Sequence, residues 1–152
     1  MQLGRLGRGE ALAVLGGILL ALGLFLPWYR TNPDNANAVI DGVRGSVSGW
    51  AAHPILRWPL IVAALAPLIL AWIIVRDHEL SWPRGELTAV VAMVALVLVL
   101  YVGIVDRPGE PSGQIQLRIG WYLAGLGCVL EIAGGAIRAG GSERPRKPPG
   151  VL

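Results

Sequence analysis

One cysteine, one lysine, one phenylalanine and two histidines are all that these types contribute to 152 residues. The lone cysteine, Cys128, cannot form an internal disulfide and is too little for a thiol relay. Membrane oxidoreductases that work through paired cysteines are therefore excluded, and Cys128 reads as a small packing residue. Charge is scarce too: 15% of residues, where a soluble domain carries about a quarter. The shortage is concentrated. Leu87–Val105, LTAVVAMVALVLVLYVGIV, holds no charge and shows no polar stripe at the helical period.

What is abundant is apolar sequence. Four long runs lie at Ala11–Trp28, Ile55–Val75, Leu87–Val105 and Ile119–Ala139. Each has roughly the ~20 residues a helix needs to cross a bilayer. The expected fold is an all-α, four-transmembrane-helix bundle over residues 1–140, with a disordered tail over 141–152 rich in Pro, Gly and Arg. A cleaved leader is not expected. The A-x-A form Ala36-Asn37-Ala38 lies about ten residues beyond the apolar core, further than cleavage allows.

The net charge of +3 does not point to nucleic acid. The basic residues flank the apolar runs, where they set topology. Four spans place both termini and the 76–86 turn on one side, with eight Lys and Arg against five on the other. That bias predicts cytoplasmic termini in a cell membrane. It leaves residues 30–54 as a long outer loop. Asp41-Gly42 is a hairpin signal there, and the loop reads equally as a two-stranded ribbon or as irregular chain.

Small residues predict how the helices pack. Gly9, Ala13, Gly17 and Ala21 recur every four positions in the first helix, with Gly16 and Gly23 nearby. Gly120, Ala124 and Cys128 do the same in the fourth, with Gly127 and Gly135. In lipid, close backbone approach must supply the attraction that water supplies elsewhere. The first and fourth helices are thus expected to pair, on each other or across a dimer. The third helix, rich in Val and Leu, is expected to face lipid.

Glu131 is the one charge deep in a span, ~18 Å from the start of its helix. An intramembrane carboxylate reads as a proton- or cation-coupling group, or as a structural ion pair with Arg138, Arg5, Arg8 or Arg76. A transport path needs several polar groups, and Glu131 stands nearly alone. Trp28, Trp50, Trp58 and Trp121 fall at the expected outer interface and read as an aromatic belt. Arg57 beside them suits a cation–π contact, a lipid phosphate or snorkelling to the headgroups. His53 and His78 lie on opposite sides and cannot share a metal. Ser46, Ser48 and Ser112 lack a triad, and no glycine motif cradles phosphate. No catalytic set, cofactor or metal is expected.

Three short motifs carry a resemblance. Leu26-Pro27-Trp28-Tyr29, Ser48-Gly49-Trp50 and Gly120-Trp121-Tyr122-Leu123, in an arginine-rich and lysine-poor chain, resemble a group of small four-helix membrane proteins of actinobacteria. The resemblance covers residues 10–140 and implies the four-span fold, with no activity attached. The long first outer loop ending in Gly-Trp also resembles claudin-like tetraspan proteins, whose paired loop cysteines are absent here. Small multidrug transporters share the helix count. They carry a glutamate in the first helix, where this chain has only Glu10 at the edge. The expected function is non-enzymatic: a structural or accessory protein acting through a membrane partner or as a homo-oligomer. A small oligomeric transporter or channel using Glu131 is the alternative.

Overall fold

The first helix stops where its chemistry forces it to. In the computed structural model, which describes residues 7–76 and 84–141, α1 runs Arg8–Phe25. Leu26 turns extended because Pro27 follows, and the α region is disfavoured before proline. Pro27–Thr31 then forms strand β1, so the last residues of the first apolar run are strand and not helix. β2 (Ser46–Ser48) leads into a single turn, α2 (Gly49–Ala52), whose N-cap Ser48 Oγ accepts from Ala51 N–H. The second apolar run forms α3 (Arg57–Val75), continuous through Pro67. The third is α4 (Arg84–Leu100), extended by a π-helical turn over Tyr101–Val105. β3 (Ile115–Leu117) precedes α5 (Ile119–Gly141).

Four of these helices are long and apolar enough to cross a membrane. The 141–152 tail lies, but for Gly141, outside the described residues, as do His78, Trp82 and most of the 76–86 turn. The three strands gather at one end of the bundle, called the cap end below. They form one antiparallel sheet in the order β2-β1-β3. The Asp41-Gly42 signal is real but local. Both residues have positive φ, 50° and 78°, as a type I′ turn demands, and they close only the Ile40–Val43 bridge. The ribbon partner of β1 is β2, and the third strand comes from the loop before α5.

The core seam is an antiparallel pairing of α1 with α5. Gly9 lies against Gly134, Gly16 against Gly127 and Gly23 against Gly120. Successive pairs are seven residues apart on both helices, a spacing that keeps one seam in register along two helices. A Cβ on Gly16 would sit 2.6 Å from the Gly127 carbonyl oxygen, and one on Gly23 2.6 Å from Ala124 N. The backbones therefore touch, the close approach that small residues on both helices permit. The four-residue stripe expected in α1 is divided between two partners. Gly9 and Ala13 face α5, while Gly17 meets Ala64 and Pro67 of α3. Ala124 and Cys128 are fully buried, and Ala21 packs on the core's margin.

α4, expected from its composition to face lipid, also carries a buried face. Thr88, Ala92, Ala95, Val99 and Val102 are buried, a heptad-like stripe set against α5. Leu87, Val94 and Val97, with Ile104 in the π-helical turn, are exposed and form its open apolar face.

Candidate functional site

Two regions hold buried polar chemistry: the carboxyl of Glu131 within the bundle and a bonded network under the cap. Glu131 is fully buried on α5, and its Cγ lies where a side chain on Gly16 would be, 2.8 Å from that position. The glycine thus gives room to the carboxyl arm. Neither carboxyl oxygen has a hydrogen-bond partner among the described residues. The pairing with Arg138 expected from the sequence is not made. Arg138 instead meets Glu10 at 3.2 Å, which ties the last turn of α5 to the first turn of α1. Arg138 stands two turns from Glu131 on the helix, whereas Glu10 lies across the seam beside Gly9. Glu10, Arg138 and Thr88 line a cavity of about 10 Å³ together with Gly9, Gly134 and Pro67. That is room for about one water molecule.

At the cap end the three motifs converge. Between Pro27 and Tyr29 the β1–β2 register shifts, so Trp28 is the bulged residue. A bulge breaks alternation, and consecutive Trp28 and Tyr29 therefore both turn inward, fully buried. Trp28 is thus no part of a lipid-facing belt. Its indole lies on Gly49, where a Cβ would overlap the ring, and its Nε1–H donates to Gly23 O at 2.8 Å. Gly120 abuts the Leu26 carbonyl, with 2.7 Å left for a Cβ. Leu-Pro-Trp-Tyr, Ser-Gly-Trp and Gly-Trp-Tyr are one packed unit.

The end of α4 and its π-helical turn are sewn to this unit through their carbonyls. Trp121 Nε1–H donates to Val99 O at 2.8 Å, so Trp121 also has a structural bond beyond any belt role. Tyr29 Oη donates to Val102 O at 3.1 Å. Arg107 Nε–H donates to Gly103 O at 3.0 Å, and its Nη1 to Ile115 O at 2.9 Å. A π turn misaligns carbonyls from their usual helical donors, and side chains take the place of those donors here. His53 Nε2 lies 2.8 Å from Tyr29 Oη. Since the hydroxyl proton is directed to Val102, His53 donates from Nε2. Sequence reading missed Tyr29, His53 and Arg107 as a set. The adjacency of Tyr29 to a proline-capped helix end was the available signal.

Burial pushes the Tyr29 hydroxyl pKa up, with the Arg107 cation opposing, so Tyr29 stays a donor. Burial lowers the His53 pKa below the ordinary 6.5, against the pull of Asp106 and Asp41. The unfolded chain therefore takes the proton first as pH falls. His53's contribution is complete above pH 6.5 and is lost progressively below it. Thermal melting of the full-length protein in detergent is expected to fall between about pH 7.5 and pH 5.5, and His53→Gln to flatten part of that fall. An identical pH profile in the variant would contradict the assignment.

Phe25, Trp50, Arg57 and Trp58 form a separate cluster beside the cap. Phe25 stacks on Trp50 with centroids 5.0 Å apart, and Trp50 meets Trp58 edge-on at 5.7 Å. The Arg57 guanidinium lies 5.0 Å from the Trp50 ring and 5.3 Å from the Trp58 ring. Comparison with known proteins adds no relative: no family model, no curated protein and no solved structure matches the chain.

Proposed function

We propose that this chain is a non-enzymatic accessory protein of the cell membrane, in which four helices act as a fixed mount for a folded cap that meets a partner. The observation that carries this reading is the α1–α5 seam. Three glycine pairs bring the two backbones into contact along most of the bundle, so its centre is filled by main chain. The cap is anchored to that mount by bonds from Trp28, Tyr29 and Arg107 to backbone carbonyls of α1 and of the π-helical turn, and Trp121 of α5 ties α4 beneath it. Its outer strands β2 and β3 are the two ends of the sheet, and each has an edge that no strand of the sheet covers. Such edges are suited to main-chain recognition by another protein. The arginine bias favours cytoplasmic termini, with the cap outside. The partner is another membrane protein or a second copy of the chain.

One observation favours a second reading. A fully buried carboxyl without a bonding partner is costly to keep, and a proton- or cation-coupling group is one reason to keep it. Reconstitution separates the two. Liposomes holding the purified protein under an imposed pH gradient are expected to lose the gradient no faster than empty ones. A leak that Glu131→Gln abolishes, with the fold intact, would replace the accessory reading with a transporter.

A further inference from the structure

Arg57 is the first residue of α3 and carries a charge that no acidic group among the described residues pairs with. It makes no ion pair and no hydrogen bond through its side chain among the described residues, and its Nε–H is buried without an acceptor. Yet the group is held in place. Trp50 and Trp58 lie at 5.0 and 5.3 Å from its carbon, and Phe25 braces Trp50 from the end of α1. The two indoles hold the guanidinium, and its Nη donors, unlike Nε, are not among the buried unpartnered atoms. A planar fork of donors matches the two oxygens of a phosphate.

The position supplies the rest. α3 is long and apolar enough to span, so its first residue stands at headgroup depth. Below Arg57, Trp58, Val62, Leu65 and Ile69 form an exposed apolar stripe down the helix. The stripe faces where acyl chains would run. A headgroup that carries its own ammonium is poorly served here. Aromatic faces are what recognise choline-like cations, and Arg57 already occupies both indoles.

We propose that Arg57, Trp50 and Trp58 form a binding site for one anionic phospholipid of the cap-side leaflet, with the phosphodiester on the Arg57 Nη groups and the chains along α3. The site is independent of the partner-binding reading of the cap.

Native mass spectrometry of the full-length protein in maltoside detergent tests it. The protein is offered phosphatidylglycerol and phosphatidylcholine at equal concentration, and separately inorganic phosphate. One retained phosphatidylglycerol is expected, in preference to phosphatidylcholine and not displaced by phosphate. Arg57→Gln should lower its occupancy about tenfold, the loss of one charge-assisted bidentate contact. Trp58→Leu keeps the charge and should lower occupancy several-fold, so it decides the matter if the arginine variant does not fold. Equal retention of both lipids, displacement by phosphate, or wild-type occupancy in folded variants would overturn the proposal.

Discussion

Gly127→Ala should destabilise the protein by roughly 1–3 kcal/mol, whereas Gly125→Ala, two residues away on the same helix, should stabilise it by up to about 1 kcal/mol. The added methyl is identical, and so is the helical backbone that receives it. In a helix interior alanine is better than glycine, because glycine loses more backbone freedom on folding. At Gly125 nothing stands within 4 Å of the new Cβ, so that gain is kept. At Gly127 the Cβ would lie 2.5 Å from Leu20 N and 2.7 Å from Gly16 O. Both obstacles are backbone and cannot rotate aside. The two helices must move apart, and that movement also loosens the neighbouring glycine pairs at Gly9 and Gly23. Thermal or denaturant unfolding in one detergent would show the opposite signs. Two shifts of the same sign would mean that the seam is not where the helices meet.

Glu131→Met should raise stability, by about 1–3 kcal/mol, although it removes the most buried acidic group of the described chain. A buried polar group stabilises only through the bonds it makes, and both oxygens of Glu131 lack partners among the described residues. Methionine fills a similar volume, adapts to irregular space and carries no such penalty. Gly16 leaves room for it, since its missing side chain is what admits the Glu131 arm. A glutamate retained against stability is retained for something else. If Glu131→Met instead lowers the melting temperature, the carboxyl has a bonding partner and its role is structural. Unfolding of Glu131→Met and Glu131→Gln side by side separates loss of charge from loss of the polar group.

The four long apolar helices were legible because an uncharged run as long as Leu87–Val105 is too long and too uniform for most other elements. Their packing was legible only in part. The four-residue stripe from Gly9 to Ala21 names the right helix pair, but a helix turns 3.6 residues per turn, and a straight four-residue step drifts across the surface. The true seam steps by seven, through Gly16 and Gly23, and meets Gly134 where Gly135 had been the residue noticed. Gly17, one place along, thereby falls to α3. Composition marked α4 as a lipid helix, but its alanines at 92 and 95, with Thr88, carry a buried face that an average conceals. The depth of Glu131 followed from counting residues, whereas the choice of Glu10 by Arg138 is a contact across the seam that one helix cannot reveal.

At the cap the limit was different. Trp28, Trp50 and Trp121 have the composition of an interfacial belt, and belt and core place the same residues at the same depth. A bulge decided for Trp28, and a bulge leaves little mark in sequence. β3 is three residues long in a loop of turn formers, too short for alternation to register. The motifs nonetheless carried more than their brevity promised. The glycines in Ser-Gly-Trp and Gly-Trp-Tyr are the surfaces on which Trp28 and Leu26 rest.

Site-specific photo-crosslinking in intact cells tests the partner-bearing cap most directly. Probes would be placed at exposed Arg44 and Gln116 on the cap and at exposed Met93 in the third span. One protein species, either a single partner or a second copy of the chain, should be captured from both cap positions and not from Met93. Capture of lipid alone at the cap, or the same scattered products from all three positions, would contradict it.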